Sequence, residues 1–178
     1  MNEEITVRFE QPEDVGEVDR VMRRAFPGPE EAGIVEGLRK NQSISCCVVA
    51  ETSAGGEDGL DGLVGALVFS PVSIQSASGE VTSAWGLGPM AVIPERQRAG
   101  VGEAMFDHWR QVGPRPSSGI VVVLGHASYY PRFGFRPASR FGIRWEHPCP
   151  DEAFMVLETE SGAANEVSGV VSYDPAFG

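Results

Sequence analysis

Residues 94–112, PERQRAGVGEAMFDHWRQV, join a strand-like run to an amphipathic helix through a turn that holds Gly100 and Gly102. This junction restricts the fold more than any other stretch. Val101, Met105, Trp109 and Val112 recur at helical spacing and predict one apolar stripe, so the helix must lie on a sheet or another layer. A helix start leaves backbone N–H groups without partners and carries a partial positive charge, which suits an anion. Glycines there remove Cβ atoms from the path of a ligand and permit φ above zero. Arg96 and Arg98 stand just before the helix, where guanidinium groups add charge-assisted bonds to an anion.

The anion is not a nucleotide of the usual kinds. A phosphate loop of the Walker type needs Lys-Ser/Thr after its last glycine, and here Gly102 is followed by Glu103 and Ala104. The dinucleotide fingerprint needs a third small residue where Met105 stands.

Patterning elsewhere predicts a mixed α/β fold in one domain, residues 1–178. ITVRFE reads as a strand. Asp14 to Phe26 reads as a helix through Val15, Val18, Val21, Met22 and Phe26, stopped by Pro27 to Pro29, and EEAGIVEGLRK follows as a second helix. ISCCVVAE and LVGALVFSPVSI read as strands, the latter bent at Pro71, and Ser53 to Gly62 as a polar loop. TSAWGLGPMAVIP is a strand that Gly86, Gly88 and Pro89 would bulge or splay. Ile120 to Leu124, IVVVL, is the continuous apolar run of a strand buried on both faces in a parallel pairing. ASYYPRF predicts a short helix, and AFMVLETE and VSGVVSYD two last strands.

Composition narrows the function. A formal charge of −11 repels nucleic-acid phosphates. Its distribution is uneven: residues 67–147 hold 8 bases against 5 acids, whereas residues 148–178 hold 6 acids and no base. The only basic stretch is therefore the one carrying the glycine turn. Three cysteines make no disulfide framework, and three scattered histidines have no metal-ligand spacing. The beginning, MNEEITVRFE, has no apolar leader core, and IVVVL is too short to span a bilayer. The expectation is a cytoplasmic protein, monomer or homodimer, without membrane, nucleic-acid or metal partners.

Gln97-Arg98-Ala99-Gly100-Val101-Gly102 between a strand and a helix resembles the acyl-CoA pyrophosphate loop of GNAT N-acetyltransferases. Downstream, Tyr130-Pro131-Arg132-Phe133-Gly134-Phe135 is similar to the second signature of that superfamily. The contexts LGPMAVIPERQRAGVG and VLGHASYYPRFGF, with AFMVLE and SGVVSYDPAF after them, resemble a bacterial subgroup of these enzymes over roughly Val7 to Phe177. The resemblance implies a mixed, mostly antiparallel sheet with one splayed parallel strand pair and about four helices. It implies acetyl-CoA as cosubstrate and a primary amine, on a small molecule or a peptide, as acceptor in a ternary complex. Main-chain groups of Met90, Ala91 and Val92 would pair with pantetheine, one N–H serving the thioester carbonyl. Gln97, Arg98, Ala99, Gly100, Val101 and Gly102 would hold the pyrophosphate, with Glu103 complementing the helix dipole. Tyr130 would donate to the departing sulfur, and Tyr129 would pack. The sequence departs from the family pattern in having no carboxylate in VTSAWGLGP and Gly125-His126 in place of an asparagine. The general base is left among Glu80, Glu158, His126 and water. A non-catalytic acyl-CoA-binding or sensing domain is the alternative.

Overall fold

The computed structural model describes residues 5–52 and 62–178. The expected loop Ser53–Gly62 lies outside them except for Gly62. The chain divides into two compact units, one of residues up to Phe69 with Pro89–Pro114, the other of Ser70–Gly88 with Arg115–Gly178.

The first unit takes its hand from an antiparallel ribbon. Strand β1 (Ile5–Phe9) pairs with β2 (Cys46–Thr52), which pairs with the first half of β3 (Gly62–Gln75). Helices α1 (Val15–Ala25) and α2 (Glu30–Lys40) are parted by the expected proline stop, and α3 (Val101–Val112) packs on β1 and β2. The apolar stripe of α3 differs from the expected one at a single point. Val101, Met105 and Trp109 are buried with Phe106, whereas Val112, the last residue of the helix, is 64 % exposed. In α1, Val18, Val21 and Met22 are buried, and Val15, the first residue of the helix, is 42 % exposed. Trp109 stacks on Phe69 with centroids 4.5 Å apart and donates its indole N–H to the Pro114 carbonyl at 3.0 Å.

A partly buried ionic clamp ties β1 to the start of α1. Arg8 holds both carboxylate oxygens of Asp14, at 2.6 and 3.0 Å, and reaches Glu51 at 2.9 Å. The Gln11 N–H adds a bond to Asp14 at 2.7 Å. The Arg8 guanidinium holds the Asp14 carboxyl below its ordinary range.

The second unit is built on β5 (Ile120–Leu124). As its unbroken apolar run requires, it is covered on both edges: parallel to β4 (Val81–Val92) and antiparallel to β8 (Phe154–Glu158). Ile120 to Val123 are at most 1 % exposed. The parallel ladder holds only Trp85↔Val121 and Gly86↔Val122. β4 then runs on without further pairing to β5 and carries Gly88 at φ +145°. β9 (Gly169–Ser172) pairs with the second half of β3 and with β7 (Ile143–Trp145), and β6 (Arg136–Pro137) pairs with β8. β3 is one continuous strand through Pro71. That proline falls between the ladder to β2, which ends at Phe69, and the ladder to β9, which begins at Ser73. Overall the strands make one mixed sheet, in the order β1-β2-β3-β4-β5-β8-β6 with β9 and β7 branching from β3. The described residues form three α-helices. The fourth helix, expected over ASYYPRF, forms as a single 3-10 turn, Tyr130–Phe133, since Pro131 and Gly134 bound it too closely for an α-helix.

Two substitutions test this packing. Trp109→Ala should lower unfolding stability by ~3–5 kcal/mol in urea titration, while Val112→Ala changes it by under about 0.5 kcal/mol. Asp14→Asn should cost roughly 1–3 kcal/mol at pH 7. Because the native Asp14 carboxyl titrates below its unfolded value, its stabilisation is present above about pH 4 and is lost as pH falls through the native value. The difference between wild type and Asp14→Asn should therefore shrink in acid.

Candidate functional site

Sequence singled out two places, one in each unit. In the first, β4 ends at Val92, Ile93 donates its N–H to the Val64 carbonyl at 2.9 Å, and a 3-10 turn, Pro94–Arg96, leads into the glycine junction. The Gln97 amide folds back to the Val92 carbonyl at 3.0 Å and braces the turn from inside. Glu95 is held by Arg24 of α1 at 2.6 Å. Arg98 adopts φ +62°, an unusual conformation for a side-chain-bearing residue, and Gly100 follows at φ +82° as the N-cap of α3. The first helical bond beyond the cap is from Ala104 N–H to the Gly100 carbonyl at 2.9 Å, so Val101, Gly102 and Glu103 present the first-turn N–H groups. Space around Gly100 is open, with nothing within 4 Å of where a Cβ would stand. Arg98 and Ala99 are exposed, and Arg98 forms no salt bridge among the described residues. Arg96, half-buried, is less available than Arg98. Ala91 is buried, with Met90 and Val92 half-buried on either side of it.

In the second unit, Tyr130 opens its 3-10 turn with its N–H on the His126 carbonyl at 3.3 Å. Its ring stands edge-on to Phe135, centroids 5.7 Å apart, and to Tyr129 at 5.2 Å. Gly125, which follows β5, admits the ring: a Cβ there would lie 2.2 Å from Tyr130 Cε2. Burial pushes the Tyr130 phenol well above its ordinary value of 10, so the group is a proton donor throughout the neutral and mildly alkaline range. Tyr129 is engaged in packing, with the Arg132 guanidinium 4.6 Å above its ring and Phe133 against its edge.

The three side chains considered as bases fare differently. Glu158, at the end of β8, is committed to structure: one oxygen is held by Arg136, and the other takes the Ala164 N–H at 2.9 Å. Glu80 is exposed in the turn between β3 and β4, where its N–H donates to the Ser76 hydroxyl oxygen at 3.1 Å. His126 is exposed and contributes its carbonyl to the Tyr130 turn.

Sequence reasoning passed over two features. Gly125 reads as the end of a strand and as a departure from the family's asparagine, with no sign that its lack of a side chain positions Tyr130. Tyr173, just after β9, reads only as a strand terminus, yet its hydroxyl is buried without a hydrogen-bond partner among the described residues. No group of three or more metal-ligating side chains occurs among the described residues, and no described helix is long and apolar enough to cross a membrane.

No protein-family model matches the chain. Among curated proteins, it is 30% identical to the N-acetyltransferase YhbS of Escherichia coli (strain K12) over 175 residues, 96% of this chain and 97% of that one. It is 32% identical to the N-acetyltransferase YjhQ of the same organism over 83% of this chain and 78% of that one. Among solved structures, the GNAT family N-acetyltransferase YhbS from Escherichia coli in complex with CoA superposes with a TM-score of 0.83 at 29% identity, covering 99% of this chain and 93% of that one. A GNAT family acetyltransferase from Brucella melitensis in complex with acetyl-CoA gives 0.71 at 28% identity, covering 99% of this chain and all of that one, 100%. With relatives matched over nearly their whole length and the same mixed sheet beneath them, this chain belongs to the GNAT family of N-acetyltransferases.

Proposed function

We propose that the protein transfers an acetyl group from acetyl-CoA to a primary amine by direct attack in a ternary complex, working as a single cytoplasmic GNAT-like domain. The observation that carries this reading is the junction at Gly100. A left-handed glycine opens α3 in free space, with the first-turn N–H groups and an exposed, unpaired Arg98 beside it. This fits a diphosphate: several donors, one cation and no side chain in the way. That two solved relatives carry CoA and acetyl-CoA supports the choice of ligand.

Acetyl-CoA supplies an acyl group already activated as a thioester. Arg98 to Gly102 would hold its pyrophosphate, and the main chain of Met90 to Val92 would pair with pantetheine. One of those N–H groups, fixed in a strand, would stabilise charge developing on the thioester oxygen. Tyr130 would donate its O–H to the departing sulfur as the C–N bond forms and the C–S bond breaks. A thiol is the stronger acid, near 8.5, and burial raises the phenol further, so Tyr130 stabilises the thiolate by a hydrogen bond and keeps its proton. An acyl-enzyme route finds no primed nucleophile. Burial pushes the Cys46 thiol up to about 11 and raises Cys47 and Cys149 as well. With Glu158 tied into structure, an acceptor of modest basicity, close to a peptide α-amine, needs the least help in losing its proton.

Calorimetric titration with acetyl-CoA is the test. Wild type should bind at micromolar Kd, Arg98→Ala about tenfold more weakly, and Gly100→Val more weakly still, since a β-branched residue strains at φ +82°. A folded wild-type protein that does not bind would overturn the reading. Tyr130→Phe should slow turnover by ~10–100-fold with acetyl-CoA affinity unchanged. Because the native phenol stays protonated, wild-type turnover should show no falling limb from Tyr130 up to about pH 9.5. Binding with no turnover for any amine would instead identify a sensor of acyl-CoA.

A further inference from the structure

Each strand of the short parallel pair carries a glycine that makes room for a tyrosine ring. Gly125, after β5, admits Tyr130. Gly86, the last residue of β4 in the parallel ladder, admits Tyr173: a Cβ there would lie 2.6 Å from Tyr173 Cε1 and 3.0 Å from Val72 Cγ1. The nearest ring atoms are Cε1 and Cδ1, so one edge of the ring lies against β4 at the residue where its pairing to β5 stops. The ring is wedged there by Phe177, centroids 4.9 Å apart, and by Trp145 at 6.3 Å. Such packing fixes the hydroxyl in one place, yet it has no partner among the described residues.

A buried hydroxyl without a partner forfeits its hydration for nothing in return, and apolar packing of the same ring would be met equally well by phenylalanine. The groups that bear on it electrostatically are the Tyr130 phenol and the Cys149 thiol, and neither bonds to it. We propose that Tyr173 is a second substrate-contacting phenol of the active site, whose oxygen accepts a hydrogen bond from the N–H of the primary amine acceptor and turns the amine lone pair toward the thioester. This rests on the acetyltransferase reading above and adds a residue to it. The other roles in that reading already have donors: the sulfur takes the Tyr130 O–H, and the thioester oxygen takes a strand N–H. The attacking nitrogen has no polar partner in that reading. Burial also keeps the Tyr173 phenol protonated, so it orients the amine without removing its proton.

Tyr173→Phe keeps the ring and removes only the oxygen, and its effects on stability and on activity should have opposite signs. The thermal midpoint should rise by roughly 2–4 °C, because an unmet polar atom leaves the core. Thiol release from acetyl-CoA, read with glycinamide as a probe amine and with water alone, should fall tenfold or more at low amine concentration. Acetyl-CoA affinity by calorimetry should stay within about twofold of wild type. A fall in the midpoint would mean that the hydroxyl serves the fold and would overturn the proposal. So would unchanged thiol release, or a wild type that binds acetyl-CoA but releases no thiol with either acceptor. Failure of wild type to bind acetyl-CoA at all would instead remove the reading on which this one stands, and calorimetry separates the two cases.

Discussion

The parallel pairing of β4 with β5 is the constraint on which the proposed chemistry depends, and it is only two residues long. β5 needs both edges covered because four consecutive residues are buried on both faces, so β8 takes one edge and β4 the other. A longer ladder would satisfy more backbone groups within the sheet. Ending it at Gly86 leaves the run from Leu87 to Val92 with main-chain groups not committed to β5. In the proposed acetyltransferase, the pantetheine arm of acetyl-CoA would add to this stretch as a further strand does.

The second constraint is backbone strain at the helix start. Arg98 at φ +62° and Gly100 at φ +82° form a sharp reversal between the Pro94–Arg96 turn and α3. A long side chain in this conformation costs of order 1 kcal/mol or more, and the surrounding bonds impose it. The Gln97 amide on Val92, Arg24 on Glu95 and the Ile93 N–H on Val64 hold the chain on the side of the turn that enters the reversal. Buried Val101, Met105 and Trp109 anchor the helix that leaves it. The result is a set of N–H donors fixed before any ligand arrives, which lowers the ordering cost of binding.

Much of this was legible in the sequence because it follows from local chemistry. The periodicity of α3, the unbroken apolar run of β5, the proline stop after α1 and the glycine turn each depend on residues within a few positions of one another. Strands β6 and β7 were not legible, since two or three residues carry no period. Val15 and Val112 were misassigned to the core because periodicity gives the direction of a side chain and not the extent of the surface it meets. The role of Glu158 was hidden for a related reason: Arg136 lies 22 residues away in sequence and becomes its partner only when β6 adds to β8. Gly86 and Gly125 were hardest of all. A glycine that exists to admit a distant ring looks, in one dimension, like any glycine in or after a strand.

Charge illustrates the same limit. The net excess of arginine in residues 67–147 pointed at the glycine turn, yet most of that excess has other employment. Arg110 lies over Phe106 at 5.1 Å, Arg132 over Tyr129 at 4.6 Å, and Arg136 over Phe141 at 4.8 Å while also pairing with Glu158. These guanidinium groups cover aromatic faces and neutralise a structural carboxylate, and would be needed whatever ligand the protein bound. What distinguishes Arg98 is its backbone. It sits in the strained reversal itself, exposed, at the entrance to the first turn of a helix, where one cation acts together with several fixed N–H dipoles. In the proposed reading, an acidic protein would bind a polyanion without a basic surface, because the field that matters is set over a few ångströms by backbone geometry and not by the total charge.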